Sequence, residues 1–444
     1  MSELFEHLPE HVPAASSLGP AGKARLREPV RDEVRLEVFD LDSLVGAAHP
    51  ARTIWSYVEG VDFSSFEAEV RSRAGLPGMP RTSPRLLLAL WLYATSDGVG
   101  SARELSRLCG TDPAYRWLCG GVSVNHHALS DFRTAQAGRL AGLLAAHVAS
   151  LSAAGLIDLD EIAQDGVKVR ASAGAASFRR RRTLAGELVK AQALLERLGA
   201  DEDGDPGAAG RRRQARRECA ARDRLGRVEA ALAALGEAEA LREKRAKTSK
   251  ARTERQKEPR ASTSDPQARV MKMADGGFRP AWNVQFASLP GSGIVLALSV
   301  GAVGSDRGLA EPMARRIEAS FGRRPARHLL DGGYQAMADI EAAHAAGTAI
   351  YSPPLKPKSG IDPHLPRADD GPGVLEWRRR MASEEAKGIY RNRSRCELLH
   401  ARMRNLRLDR LFVRGQAKVE AWMTCFALTM NILAERRLRA TRAA

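Results

Sequence analysis

The feature that most constrains the fold is a strand-like alternation that begins at residue 161, after a long stretch with helical spacing. Within 161–170, "EIAQDGVKVR", Val167 and Val169 alternate with Lys168. Alternation over this length predicts a half-buried β-strand. The chain therefore needs a sheet as well as helices.

Further strands and helices alternate after this point. Strands are predicted at 281–288, 293–301, 326–334 and 348–352. The turn "LPGSG" joins the first two of these as a hairpin. Helices are predicted between the later strands, at 307–320 and 335–346, ahead of a Pro-rich loop and an arginine-rich helix. This order predicts an α/β fold whose mixed sheet begins with an antiparallel meander.

The part of the chain before the sheet, residues 35–157, is predicted to be helical. A Pro in the first turn begins a helix within 83–98. Short helices in close succession are typical of a helix-turn-helix layout, although a plain helical domain fits the spacing equally well. The apolar window 140–157 contains His147, which favours a packed core helix over a membrane span.

A basic segment, residues 178–260, separates the first two predicted strands. It carries 23 Lys and Arg against 14 Asp and Glu. Two leucine-rich stripes, one on each side of "DEDGDPGAAG" (201–210), predict a helical hairpin that projects from the sheet and continues into a basic tail. A solvated and partly disordered basic linker is the alternative.

The net charge and the cysteine content limit the classes of binding partner and the cellular compartment that we expect. A formal net charge of +16 points to a polyanion such as nucleic acid, with a membrane surface as the other candidate. The N-terminus is acidic and has no apolar signal segment, so we expect a cytoplasmic protein. Without a Cys-x-x-Cys pair, the cysteines are expected to be reduced, and Cys109 and Cys119 are interpreted as core residues rather than zinc ligands.

Two acids are predicted to meet at the centre of the sheet. Asp165 lies within the first strand and Asp331 ends the fourth. In a meander followed by a crossover these strands can be neighbours, which would bring the carboxylates together. Each acid precedes a glycine, so an Asp-Gly turn is the alternative for either one alone. Asp275, Asp306 and Asp339 are interpreted as turn or cap residues.

A third acid lies on the arginine-rich helix. At about 100° per residue, one helical face carries Tyr390, Arg393, Glu397 and Arg404. This face is explained if the acid binds a metal ion and the arginines bind phosphates. A solvated helix with i,i+4 ion pairs is the alternative. His400 is interpreted as a surface or packing residue.

The three acids Asp165, Asp331 and Glu397 would repel one another if they met without a cation. Mg²⁺ or Mn²⁺ suits an all-oxygen site with open positions, and two such ions promote phosphodiester cleavage. We therefore predict a two-metal site beside which Arg393 and Arg404 bind the DNA backbone.

The same residues resemble a known family. Tyr390-x2-Arg393-x3-Glu397-x6-Arg404 resembles the Y-x2-R-x3-E-x6-K signature of bacterial insertion-sequence DDE transposases, with Arg in place of the last Lys. "QDGVKVRASAGAASFRR" and "LLDGGYQ" look like the segments that carry the first and second Asp of that family. "DPQARVMKMADGGFRPAWNVQFA" looks like its second and third strands, and the resemblance covers most of residues 35–435.

The resemblance implies an RNase H-like catalytic core that cuts the ends of a mobile element and joins the freed 3′-hydroxyl to target DNA. The catalytic metal ligands would be Asp165, Asp331 and Glu397, with Mg²⁺ or Mn²⁺ as cofactor. DNA phosphates would be contacted by Tyr390, Arg393 and Arg404. The implied partners are double-stranded terminal inverted repeats and target DNA, with no membrane. A homodimer or higher assembly on paired ends is expected, in the cytoplasm at the nucleoid.

The expected domain division follows from these segments. It comprises a flexible arm (1–34), an N-terminal helical DNA-binding domain (35–157), an RNase H-like catalytic domain (158–177 and 261–435), a basic helical insertion (178–260) and a basic tail (436–444). Two other functions remain open: an RNase H-like nuclease without strand transfer, and a non-catalytic DNA-binding derivative of a transposase.

Overall fold

A computed structural model describes residues 40–70, 72, 80–200, 208–248, 258–356 and 360–443 of the chain. The arm expected at 1–34 and much of the basic tail expected after the helical hairpin lie outside these residues. From residue 41 onward the chain forms one compact unit.

The N-terminal part consists of helices whose starts are set by local sequence. Asp112 accepts hydrogen bonds from the backbone N–H groups of Ala114 and Tyr115, and Asn125 accepts one from Ala128. Side chains of these types satisfy the N–H groups that a helix leaves free at its start. The helices are α1 (Pro50–Glu59), α2 (Ser64–Glu67), α3 (Pro84–Ser96), α4 (Ala102–Thr111), α5 (Pro113–Cys119), α6 (His126–Ala135) and α7 (Ala137–Ala153).

The sheet follows, with helices between and after its strands. The strands of the main sheet are β1 (Glu161–Arg170), β4 (Arg269–Lys272), β5 (Phe278–Ser288), β6 (Val295–Gly301), β7 (Arg327–Leu329) and β8 (Ala349–Tyr351). A separate short pair is formed by β2 (Phe178–Arg179) and β3 (Ala261–Ser262). The helices of this part are α8 (Arg181–Ala200), α9 (Ala208–Thr248), α10 (Ala310–Phe321), α11 (Met337–Ala345), α12 (Pro372–Ala382), α13 (Glu384–Tyr390), α14 (Cys396–Asn405) and α15 (Gln416–Ala443).

The main sheet is mixed, and its strand order contains the predicted meander and crossover. The order is β4, β5, β1, β7 and β8, and β6 also pairs with β5. Strand β1 runs antiparallel to β5 and parallel to β7, which is parallel to β8. The first and fourth predicted strands are therefore neighbours. This mixed α/β arrangement is compatible with an RNase H-like domain.

Helices α8 and α9 pack against each other in antiparallel fashion. Ion pairs join Arg181 to Glu239 at 2.5 Å and Arg224 to Glu187 at 3.5 Å. A small hydrophobic cluster between the helices includes the buried Leu184. The β2–β3 pair brings the two ends of this segment together.

The N-terminal helices, one part of the sheet and α15 share a hydrophobic core. Arg133 is buried there between Trp91 and Trp422, with its guanidinium carbon 3.9 Å and 4.9 Å from the two ring centroids. Its Nη1 donates a hydrogen bond to the carbonyl oxygen of Gly100. A Cβ at Gly100 would lie 2.2 Å from the Trp422 ring, so this close packing requires glycine.

The predicted elements are present with shifted ends. Strand β5 begins at Phe278 rather than at 281, and the strand predicted at 326–334 ends at Leu329. Helix α12 and helix α13 occupy a region that we predicted to be a Pro-rich loop before a single helix. Residues 436–443, expected as a separate tail, continue α15.

Two further expectations concern α7 and the cysteines. Helix α7 is packed, and Leu140, Leu144 and Val148 are buried along it. Within the part of the chain that the structure describes, no helix is long and apolar enough to cross a membrane. Cys119 is buried and Cys109 is half-buried against the same core, as expected, and both are free thiols.

Candidate active site

Asp165 is placed by its position in β1, where it lies opposite Phe286 of β5. Its Oδ1 accepts a hydrogen bond from the N–H of Gly166 at 2.9 Å. Its Oδ2 accepts a hydrogen bond from Nη1 of Arg393 at 3.2 Å. Both side chains of this ion pair are 16% exposed, so the pair is largely shielded from water.

Asp331 follows β7, the strand that pairs with β1. These strands are parallel, and Ala163 is opposite Leu329. Asp165 and Asp331 each lie two residues beyond this pair, so the register directs both acids toward the same end of the sheet. Asp331 also begins a short 3₁₀ helix, because its Oδ1 accepts a hydrogen bond from the N–H of Gly333 at 2.7 Å.

The segment from Tyr390 to Arg404 is not the continuous α-helix that we predicted. Helix α13 ends at Tyr390, residues 391–395 form a 3₁₀ helix, and α14 begins at Cys396. A 3₁₀ helix has three residues per turn, so the helical face calculated at 100° per residue does not hold across it. The same geometry aligns residues three apart, and Nε of Arg393 donates to the Tyr390 hydroxyl at 3.3 Å.

Glu397 lies between two residues that contact Asp165. Arg393 precedes it by about one turn, and His400 follows it by one turn with Nδ1 3.7 Å from Oδ2 of Asp165. Glu397 is exposed, and no cation in the described part of the chain pairs with its carboxylate. The structure therefore brings the α14 segment that carries Glu397 against Asp165.

His400 is a packing residue, as we interpreted it, but it packs next to a candidate catalytic acid. Its ring lies 6.3 Å from that of Phe286, and the residue is only 8% exposed. Burial lowers the pKa of His400, while the negative charge of Asp165 raises it and the charges of Arg404 and Arg393 lower it further. The net shift is downward, so the imidazole is neutral near pH 7.

The pKa of Arg393 reports the combined field of two acids. Burial would lower this pKa, but the charge of Asp165, the hydrogen bond with Tyr390 and the charge of Asp331 outweigh burial and raise it. Arg393 therefore remains protonated and lies within the negative potential that Asp165 and Asp331 create together.

The donor chemistry of the three acids fits a divalent cation, whereas their side-chain positions are not those of a closed metal site. All three offer carboxylate oxygens, the ligands that Mg²⁺ and Mn²⁺ prefer. Within the described ranges, no three His, Cys, Asp or Glu side chains lie close enough together to hold a metal ion. To bind a metal ion, Oδ2 of Asp165 would first have to lose its hydrogen bond with Arg393.

Arg404 lies in the last turn of α14 and is exposed. No carboxylate in the part of the chain that the structure describes forms an ion pair with it. Its charge contributes to the downward shift in the pKa of His400, which places it near the same site. An exposed and unpaired guanidinium at this position is available to a phosphate.

A polar network on the other face of β1 was not predicted. The carboxylate of Asp306 accepts hydrogen bonds from Lys168 at 2.8 Å, Asn283 at 2.8 Å and Gln285 at 2.8 Å. Asp306, which we interpreted as a turn or cap residue, is therefore the centre of this network. Asp339 does cap α10, because its Oδ2 accepts the N–H of Glu311.

The network connects the turn after Asp331 to β1. The Tyr334 hydroxyl donates a hydrogen bond to Oε1 of Gln285, which also accepts one from Nε2 of Gln164 at 3.0 Å. Gln285 lies opposite Gly166, the residue after Asp165. Alternation alone could have placed Gln164, Gly166 and Lys168 on this face, but their partner Asp306 comes from a distant loop that no local pattern identifies.

Comparison with known families gives two matches. Residues 39–135 match the model described as "Transposase domain (DUF772)". Residues 245–432 match the model described as "Transposase DDE domain", a span that contains Asp331 and Glu397 but not Asp165. No curated protein and no solved structure matches the chain.

The two matched spans follow each other along the chain, and together they cover well over half of it. The first coincides with the N-terminal helices α1 to α6, and the second with the part that contains β4 to β8 and α10 to α14. The chain belongs to the insertion-sequence DDE transposases.

Proposed function

We propose that this transposase cleaves DNA at the ends of its insertion sequence and joins the freed 3′-hydroxyl to target DNA. The observation that carries the proposal is the contact between Asp165 and the segment around Glu397, and the parallel pairing of β1 with β7, the strand that precedes Asp331, supports it. These contacts support the proposal because phosphoryl transfer by two metal ions needs carboxylates that are gathered from distant parts of the chain.

Asp165, Asp331 and Glu397 are the residues that would hold a pair of Mg²⁺ or Mn²⁺ ions. Such ions, when bound, activate an attacking oxygen and stabilise the leaving oxygen of a phosphodiester. The chain's own contribution would be to supply three acids from three different elements: a strand, a turn and a helix. His400, neutral and buried, adds no charge that would compete with the cations.

The cationic residues of the signature would position the DNA. Arg404 is exposed and unpaired among the described residues, so we assign it a backbone phosphate. Arg393 would contact a phosphate after releasing Asp165, and Tyr390, which bonds Arg393, would support that exchange. Arginine suits this role because its planar fork binds two phosphate oxygens at once.

Recognition of the terminal inverted repeats is assigned to the N-terminal domain (35–157) and to the basic insertion (178–260). Helix α9 supports this assignment with exposed arginines at 212, 213, 216 and 217. A net charge of +16 supports binding to a polyanion. Because two ends must be held together, we propose that a dimer or higher assembly is the active form.

The decisive experiment incubates the protein with element-end DNA, Mg²⁺ and a target plasmid, and maps the joined products. Asp331→Asn should abolish cleavage and leave DNA binding nearly intact. Asp275→Asn is the matched control, because Asp275 also precedes two glycines and accepts the N–H of the second, Gly277, at 3.0 Å. Its cleavage should remain close to that of the wild type.

Each other outcome identifies a different function. Cleavage without joined products would indicate a nuclease that lacks strand transfer. DNA binding with no cleavage by the wild-type chain would indicate a non-catalytic derivative. Strand transfer by Asp331→Asn would rule out the assignment of this acid.

A further inference from the structure

A cavity of about 190 Å³ opens beside the turn that carries Asp331. It combines arginines with apolar side chains, and the residues that form the argument are Arg307, Gln335, Met337, Leu355, Arg367 and Arg378. None of these belongs to the signature or to the acids described above.

The cavity wall is built directly on the Asp331 turn. Oε1 of Gln335 accepts a hydrogen bond from the N–H of Leu355 at 3.2 Å, and Nε2 of Gln335 donates to the carbonyl of Pro353. The Leu355 side chain packs over Gly332, where a Cβ would lie 3.1 Å from Leu355 Cδ2. A strand of DNA at Asp331 would therefore pass this cavity within the length of a nucleotide or two.

The positive charge of the cavity comes from two of its arginines. Arg378 is buried and neutralised, because Asp370 accepts hydrogen bonds from its Nε at 2.6 Å and its Nη2 at 3.2 Å. Arg307 and Arg367 are exposed, and no carboxylate in the described ranges forms an ion pair with either side chain. The cavity therefore contains two guanidinium groups that no described carboxylate pairs with, whereas the ion pair of Arg378 with Asp370 adds no net charge.

The remaining wall is apolar and accessible. Met337 is 37% exposed and Leu355 is 62% exposed, which is high for large hydrophobic side chains. A ligand that complements the arginines and the apolar side chains carries a negative charge on one side and an apolar surface on the other. A DNA phosphodiester with its attached deoxyribose has this character.

We propose that this cavity binds a backbone phosphate of the DNA strand next to the bond that is cut, with the arginines on the phosphate and Met337 and Leu355 against the sugar. The inference rests on the proposed function and adds a second point of attachment for the strand. It would fix the direction of the strand at Asp331, which the acids alone cannot do.

The test measures how DNA affinity depends on salt, with Asp331→Asn as the background so that no cleavage occurs. Arg307→Ala/Arg367→Ala should weaken binding of an inverted-repeat duplex and reduce the slope of log affinity against log salt by about one unit, the value for one phosphate. The matched control is Arg315→Ala/Arg323→Ala, because both arginines are surface residues already paired with carboxylates. Its slope should not change.

Ethylation interference gives the position of the contact. Ethylation of one phosphate near the cleavage point should block binding by the Asp331→Asn protein and have no effect on the cavity variant. A duplex of unrelated sequence distinguishes target DNA from element ends, since the slope should change only for the duplex whose strand occupies the cavity.

The two proposals fail in different ways. Equal slopes for the cavity variant and its background, with the same interference pattern, would overturn the cavity proposal and leave the proposed function intact. If the background protein bound neither duplex in a salt-dependent manner, both proposals would fall.

Discussion

Arg393 and Asp165 form an ion pair at 3.2 Å although 228 positions separate them in sequence. The pair joins the central strand β1 to the helical segment that carries Glu397. Because both side chains are mostly shielded from water, their attraction is less screened than that of a surface pair. The contact therefore contributes to the position of α14 against the sheet, together with the burial of Leu399 and Met403.

The strength of this contact can be measured with a double-mutant cycle. From the unfolding free energies of Arg393→Ala, Asp165→Ala and the double variant, we expect a coupling of about 1–2 kcal/mol without added metal. The control cycle uses Arg439 and Glu435, a more exposed i,i+4 pair for which about 0.5 kcal/mol or less is expected. Equal couplings in the two cycles would contradict a specific role for the buried pair.

Tyr334→Phe tests whether the polar network positions Asp331. Burial raises the pKa of Tyr334, and the charges of Asp306, Asp165 and Asp331 raise it further, so the hydroxyl stays protonated and donates to Gln285. Its loss should cost about 1–2 kcal/mol of stability.

Because the turn after Asp331 then loses its hydrogen bond to Gln285, cleavage by Tyr334→Phe should fall about tenfold, equivalent to about 1.4 kcal/mol of transition-state stabilisation. DNA affinity should not change. Tyr351→Phe is the control, since Tyr351 is also buried in the sheet but its hydroxyl forms no hydrogen bond within the described ranges. If cleavage and DNA binding fell together, the substitution would have destabilised the fold in general, and Tyr334 would have no specific role in positioning Asp331.

Local pattern was enough to predict much of the sheet. The alternation in 161–170 and the turn at "LPGSG" predict β1 and the β5–β6 hairpin because side-chain period and turn chemistry are local properties. The adjacency of β1 and β7 followed from the order of elements. The strand that contains Asp165 and the strand that precedes Asp331 could therefore be predicted to be neighbours.

Other features depend on contacts that a local pattern does not contain. The break at 391–395 contains polar side chains with other partners: Ser394 Oγ donates to the carbonyl of Arg391, and Asn392 Nδ2 donates to Glu161 Oε1 at 3.1 Å. Such bonds compete with α-helical geometry. Asp306 likewise meets Lys168 across 138 positions.

His328 gives a prediction about pH. It lies in β7, is fully buried, and neither ring nitrogen has a hydrogen-bond partner among the described residues. Burial lowers the pKa of His328 to about 3, against a small opposing effect of Glu311. In the unfolded chain its pKa is about 6.5.

As pH falls below about 6.5, His328 becomes protonated in the unfolded state but stays neutral in the folded state, so the free energy of unfolding decreases. Between pH 7 and pH 5 this costs about 2 kcal/mol. His328→Leu should lose that much less stability over the same range, measured by urea unfolding at both pH values. The exposed His127→Leu should behave as the wild type; an identical pH dependence in all three proteins would show that His328 is protonated when folded.

Arg404→Ala tests the phosphate contact on α14. The variant should bind every DNA sequence more weakly and reduce the salt slope by about one unit, because one phosphate loses its cation. Folding should be unaffected, since the side chain is exposed. Arg439→Ala serves as control because its guanidinium already pairs with Glu435 at 2.7 Å. A slope equal to that of the wild type would count against this contact.

Removing α8 and α9 tests whether the basic segment binds DNA without supporting the fold. Their buried residues form a cluster separate from those of the main sheet. At the base, Arg179 is opposite Ala261, so a short Asn-Gly turn can replace 181–259 without stretching the chain.

The shortened protein should melt within a few degrees of the full chain, because about 1 kcal/mol is lost with the contact between Arg269 and the carbonyl of Ala234. Its DNA affinity should fall strongly, with a salt slope smaller by several units. The companion variant keeps both helices but changes the exposed arginines 212, 213, 216 and 217 to Gln, and it should show the same loss of slope. If the shortened protein unfolds while the Gln variant binds DNA normally, the segment is structural and the DNA is held elsewhere.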